Sequence, residues 1–129
     1  MAIASMGTTV LDCPDPRTLA AFYAAVLGWE TAQDSDDDWV ELEGPGGYNL
    51  AFQRSEGHRP PQWPGTEHGQ QAHLDLDVPG DAREEAERQV LELGATLLQG
   101  DDGGRRSFRV YADPAGHPFC LCYPRPQDT

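Results

Sequence analysis

Lysine is absent from the 129 residues, and all nine basic side chains are arginines. That absence excludes a Schiff-base lysine and a lysine general base. Positive charge of any kind is scarce, since 9 basic residues against 22 acidic ones leave a formal net charge of -13. Such a field repels phosphate backbones and anionic lipid, so neither nucleic acid nor a membrane surface is an expected partner. Apolar runs fall well short of the roughly 20 residues of a membrane span. Met1-Ala2-Ile3-Ala4-Ser5 has neither the basic start nor the apolar stretch of an export signal, which makes the cytoplasm the expected location. Cysteine is limited to Cys13, Cys120 and Cys122, with no Cys-x-x-Cys pair, and reduced thiols are the expectation.

What is present is a repeat. Leu11-Asp12-Cys13-Pro14, followed by a helical run ending Leu27-Gly28-Trp29, recurs as Leu76-Asp77-Val78-Pro79 and a run ending Leu93-Gly94-Ala95. Residues 39–52 (WVELEGPGGYNLAF) then match residues 108–121 (FRVYADPAGHPFCL) in apolar pattern and in a Pro-x-Gly turn. A duplicated unit makes equivalent positions comparable inside one chain. The length suits one domain, residues 1–129. Its first module is expected over about residues 5–54, a Gly-, Pro- and His-rich linker over 55–69, and its second module over 70–124.

Each module reads as strand, helix and three strands. In the first, residues 8–13 are a strand, and Leu19, Phe22, Tyr23, Val26 and Leu27 carry helical spacing after Pro14 and Pro16 up to Gly28. Residues 29–33, 39–43 and 48–54 follow as strands. In the second, residues 70–78 read as a strand, 81–93 as a helix, and 95–99, 107–112 and 117–123 as strands. The Pro-rich tail from Pro124 is expected to fray.

This order resembles the vicinal oxygen chelate superfamily, which includes glyoxalase I, bleomycin-resistance proteins and extradiol dioxygenases. The resemblance covers about residues 5–124. It rests on Leu11-Asp12-Cys13-Pro14-Asp15, Phe22-Tyr23 with Leu27-Gly28-Trp29, His73-Leu74-Asp75-Leu76-Asp77-Val78, Leu93-Gly94-Ala95 and Asp113-Pro114-Ala115-Gly116-His117-Pro118. Trp63-Pro64 ahead of Gln71-Ala72-His73-Leu74-Asp75 is similar to the glyoxalase-like branch. The resemblance implies an α+β fold in which two βαβββ modules form a curved, open, eight-stranded mixed sheet around a cavity, with helices outside and a second copy completing a homodimer.

It also implies where a metal would sit, because the family's metal enzymes take one ligand from the first strand of each module and a carboxylate from the last. An offset of 65 (Leu76 minus Leu11) pairs His73 with Thr8, and an offset of 69 (Pro114 minus Pro45) pairs Cys120 with Ala51. Alanine ligates nothing, threonine is a poor neutral donor, and one imidazole with one thiol falls short of the three or four ligands that hold zinc or non-haem iron. Gln53 lies on the same face as Ala51, but an amide is a weak donor for a hard ion. No cofactor and no family-type metal site are therefore expected.

Strand alternation puts Leu74, Leu76 and Val78 on one face and Gln71, His73, Asp75 and Asp77 on the other. The polar face is expected to point into the cavity with Thr8, Val10, Asp12, Asn49, Ala51, Gln53, Cys120 and Cys122. His73 and Asp75 read either as an acid/base or ligand-orienting pair, about 7 Å apart and bridged, or as ordinary polar residues on a wet sheet. Trp63 reads as an aromatic lid or as an anchor for the linker or a partner copy. Cys120 reads as an inert buried thiol before a nucleophile. Asp34, Asp36, Asp37 and Asp38 suit a solvated turn.

The leading expectation is a small-molecule-binding protein without the metal quartet, holding an apolar or aromatic ligand. Phe52, Trp63 and Tyr111 would be apolar walls, Gln53, Gln71, His73 and Asp75 polar anchors, and Cys120 a further contact. The competing expectation is a lyase, isomerase or dioxygenase-type enzyme with His73 as base or a noncanonical metal site.

Overall fold

A computed structural model describes residues 2–65 and 67–124. The chain divides between Arg59 and Pro60 into two compact units, and each contains one module.

Unit one runs β1 (Thr8–Cys13), α1 (Pro16–Leu27), β2 (Glu30–Thr31), β3 (Trp39–Glu43) and β4 (Asn49–Arg54). Its four-stranded sheet has the order β1-β4-β3-β2, with β1 parallel to β4 and the other pairs antiparallel. The start of α1 is set by Asp15, whose carboxylate accepts from the backbone N–H and hydroxyl of Thr18, with Pro16 in the first turn where no N–H is needed. Gly28 ends it in the left-handed region at φ 70°, donating its N–H to Ala24 at 2.8 Å. The helix buries Leu19, Ala20, Phe22 and Tyr23. Tyr23 stacks on Phe52 of β4 at 5.7 Å, so unit one is closed by apolar packing.

Unit two runs β5 (Leu74–Asp77), α2 (Arg83–Glu92), β6 (Thr96–Gln99), β7 (Phe108–Ala112) and β8 (Pro118–Cys122), with a single 3-10 turn, Gly80–Ala82, leading into α2. The sheet order is β5-β8-β7-β6, with β5 parallel to β8. The fold is thus α+β, two βαβββ modules whose eight strands form two four-stranded mixed sheets. The β7–β8 turn is fastened by Asp113, which accepts from the N–H groups of Ala115 and His117 at 2.9 and 3.0 Å.

The repeat alignment is reproduced in the hydrogen-bond register. Val10 faces Ala51 and Leu11 faces Phe52 in one sheet; Asp75 faces Cys120 and Leu76 faces Leu121 in the other. These are the offsets of 65 and 69 read from the sequence. Three elements are markedly shorter than their patterns suggest, and the first is β5, which begins at Leu74 and not at residue 70. The pair equivalent to Thr8 and Asn49 would set His73 against Pro118, which has no N–H for the ladder, so pairing starts one step later at Leu74 and Phe119. α2 likewise starts at Arg83 because the 3-10 turn takes residues 80–82, and β2 is two residues rather than five.

Candidate functional site

The polar face of unit two is carried by alternate residues of three strands. Asp75 faces Cys120, Asp77 faces Cys122, and across the next ladder Val110 and Phe108 face Cys120 and Cys122. Since successive strand residues point to opposite faces, these six share one side. Leu74, Leu76, Tyr111, Phe119 and Leu121 share the other.

His73 stands just ahead of β5. Free of the pleat, its imidazole turns over Asp75, bringing Nε2 to 3.1 Å from the carboxylate Oδ1. The two side chains retain 36% and 60% of their exposure, so the contact is direct, in place of the bridged 7 Å separation that strand geometry implied, and remains open to solvent. Beneath them Cys120 is buried. The three ligating atoms, from His73, Asp75 and Cys120, all lie within 4.8 Å of one another. Burial pushes the Cys120 thiol up to about 12, with the Asp75 carboxylate adding to it, and the same causes push Cys122 up to about 11. Neither thiol is a thiolate at neutral pH, and an unassisted cysteine nucleophile is disfavoured.

Beside this trio lies a cleft of about 500 Å³. Asp75, Asp77 and Cys122 line one side, while Ser107, Phe108 and Tyr123 contribute hydroxyl and aromatic surface. Asp75 belongs to both the trio and the cleft. The mixture of aromatic wall and a few convergent polar groups is the usual make-up of a small-molecule site.

Several residues expected at the site lie elsewhere. Phe52 is fully buried against Tyr23 of α1, on the opposite face of its strand from Ala51 and Gln53. Tyr111 is also fully buried, stacking on Phe119 at 5.4 Å and donating its hydroxyl to Glu87 of α2 at 3.0 Å. Both belong to helix–sheet cores, and assigning them to a cavity wall mistakes the strand parity by one residue. Gln53 is exposed in unit one, opposite Asp12 and Trp39. Gln71 is exposed ahead of β5. Trp63 is half-buried in a loop tied by Gln62 N–H to His68 O at 2.7 Å, and its indole Nε1 is shielded without a hydrogen-bond partner, as is Oε1 of Gln70. Ser107, Phe108 and Tyr123 line the cleft without standing out in the sequence pattern. Counting in twos back from the Asp113–Gly116 turn places Phe108 with Val110 and Cys122, which is the signal that finds it.

The family quartet does not fit this chain. Ala51 is fully buried and has no donor atom, and Thr8 is an exposed hydroxyl. The corresponding face of unit one satisfies its own polar groups instead, because Glu41 accepts from Trp39 Nε1 at 3.2 Å and from Asn49 Nδ2 at 2.6 Å.

The helix face of unit two is held by charge. Arg109, 8% exposed, donates to Glu84 at 2.8 Å, Glu87 at 3.1 Å and Asp101 at 3.1 Å. Tyr123 donates its hydroxyl to the same Asp101. The Tyr123 hydroxyl, with Arg109 and the Gly104 N–H, holds the Asp101 carboxyl below its ordinary value against the opposing effect of burial. These are the contacts of a structural clamp on α2.

Among the described residues no helix is long and apolar enough to cross a membrane. No curated protein matches the sequence. Solved structures resemble the chain over nearly its whole length. A glyoxalase/bleomycin resistance protein/dioxygenase family enzyme from Burkholderia phytofirmans PsJN is 18% identical with a TM-score of 0.73, covering 93% of this chain and 98% of its own. A glyoxalase-related enzyme from Fulvimarina pelagi (18%, TM-score 0.69, 95% and 89% covered) and a glyoxalase/dioxygenase from Nostoc punctiforme (18%, 0.68, 94% and 91%) share the fold. The family model of the glyoxalase-like domain matches residues 8–122. With that match and one strand register repeated in both modules, the chain belongs to the glyoxalase-like domain family, within the vicinal oxygen chelate superfamily.

Proposed function

We propose that this protein binds a small apolar or aromatic molecule in the cleft of unit two, without the four-ligand metal arrangement of the family. The observation that carries this reading is the position of Asp75, which lines the cleft and at the same time touches His73. Phe108 would supply the flat apolar contact, Asp77 and Ser107 hydrogen bonds, and Trp63 a covering ring from the linker, while Tyr123 closes the edge of the cleft from within the Asp101 clamp. The protein acts in the cytoplasm, as a homodimer, in this reading.

A panel of aromatic and heterocyclic compounds screened by thermal shift tests it. A ligand present at about 100 times its Kd adds about 2.7 kcal/mol, on the order of 10 °C in Tm for a chain of this size. Phe108→Ala should abolish that shift. A panel that leaves Tm unchanged throughout points to an interaction module with a vestigial cleft.

The 3.1 Å contact between His73 and Asp75 favours a second reading, an enzyme of the lyase or isomerase kind with His73 as general base, oriented by the carboxylate. His73→Ala separates the two: it removes turnover while sparing affinity in an enzyme, and changes affinity alone in a binder.

A further inference from the structure

We infer that unit two carries a site for one divalent ion of the zinc class, built from His73 Nε2, the Asp75 carboxylate and Cys120 Sγ, with a coordination position left for a ligand. The inference rests on the reading of this face as the ligand-binding surface. It departs from the family arrangement in drawing every protein ligand from one module and in using Asp75, two residues beyond the family position.

Three observations support it. The donors converge: all three ligating atoms lie within 4.8 Å of one another, with Nε2 and Oδ1 at 3.1 Å. Ligand atoms around a tetrahedral zinc, at 2.0–2.3 Å from it, stand about 3.3–3.5 Å apart. The shift required is small, and it falls on His73 and Asp75, which have room to move, while Cys120 stays fixed in the sheet. The donor chemistry is also selective. Imidazole, carboxylate and the thiolate formed when the ion displaces the Cys120 proton to solvent together suit zinc and its borderline neighbours, whereas magnesium and calcium want oxygen alone. Finally, the duplicated module is an internal control. The same register in unit one places Val10 and Ala51 where unit two has Asp75 and Cys120. The sheet geometry alone does not generate a donor cluster; the side chains of unit two do.

Three protein ligands complete a site only when a fourth position is filled by water or by a bound molecule. The cleft that Asp75 also lines supplies the space for that molecule.

Cobalt(II) titration of the full chain, stripped with chelator and reduced, tests the inference. One equivalent should bind with a thiolate-to-cobalt charge-transfer band in the near ultraviolet, and zinc should displace it. Cys120→Ser should remove the band, Cys122→Ser and Cys13→Ser should keep it, and His73→Ala and Asp75→Asn should each weaken binding by tenfold or more. Retention of the band in Cys120→Ser, or no saturable binding, overturns the inference. X-ray absorption of the zinc-loaded wild type needs no variant. One sulfur among nitrogen and oxygen neighbours supports the site, and a shell without sulfur sinks it. Thermal-shift screening with chelator and again with zinc keeps the two readings apart: small-molecule stabilisation without metal binding defeats the ion site alone, and cobalt binding with no small-molecule stabilisation in either condition defeats the cleft reading alone.

Discussion

The two modules share topology and register, yet they fasten their helices by opposite means. α1 is held by apolar side chains, with Leu19, Phe22 and Tyr23 buried and Tyr23 stacked on Phe52. α2 buries only Val90 and is tied to its sheet by Arg109 and Tyr111, which reach Glu84 and Glu87. Their polar faces differ in the same systematic way. In unit one Glu41 is saturated by Trp39 and Asn49 and the neighbouring positions are Val10 and Ala51. In unit two those positions are Asp75 and Cys120, joined by His73. The two copies share one backbone register, and among the described residues the cluster of imidazole, carboxylate and thiol lies in unit two.

The largest expected effect lies in the apolar module. Phe52→Ala removes a fully buried ring from beneath Tyr23, and such a truncation costs about 3–5 kcal/mol. A urea titration should show that fall in stability. A loss under about 1 kcal/mol, near the low end of core truncations, would mean that Phe52 is not the packing centre of unit one.

Arg109→Met asks whether unit two depends on its ion network as unit one does on its core. It leaves Asp101 and half-buried Glu87 without their cation, so a cost of roughly 2–3 kcal/mol is expected, below the about 3–5 of a fully buried pair because Glu84 is exposed. The pH dependence has a fixed sign. The folded Asp101 carboxyl is held below its ordinary value of 3.8, first by the Tyr123 hydroxyl, so protonation favours the unfolded chain. Its contribution is therefore complete above that value and lost as the pH falls below it. The gap between wild type and Arg109→Met in urea should be widest at neutral pH and narrow towards pH 3. A gap independent of pH would detach Asp101 from the clamp.

The sequence discloses some of these features and hides others for definable reasons. The fold is legible because the repeat offsets equal the strand register, so the alignment of Val10 with Asp75 and Ala51 with Cys120 needs no coordinates. Phe52 and Tyr111 read as cavity walls by aromatic character but as core by parity, and parity decides because one step along a strand exchanges cavity for core. The contact between His73 and Asp75 is hidden because it depends on where β5 begins, and Pro118 decides that from the far side of the sheet. The Arg109 clamp joins residues 8, 22 and 25 positions apart, a juxtaposition that no local pattern encodes.

The smallest effect, and the one most particular to the polar face of unit two, concerns the thiols. Asp75 stands in contact with exposed His73 and supports no core, so Asp75→Asn should leave stability within about 0.5 kcal/mol of wild type. Its charge nevertheless counts, after burial, among the causes that push Cys120 up to about 12 and Cys122 up to about 11. Removing that charge lowers both values, while burial continues to hold them above an ordinary thiol. Alkylation by iodoacetamide, followed by mass spectrometry as a function of pH, should show Cys120 and Cys122 reacting at lower pH in Asp75→Asn than in wild type, with Cys13 in unit one unchanged as the reference. Equal profiles for all three cysteines in the two proteins would show that Asp75 does not govern this face, and the chemical contrast between the modules would then rest on side-chain identity without electrostatic coupling.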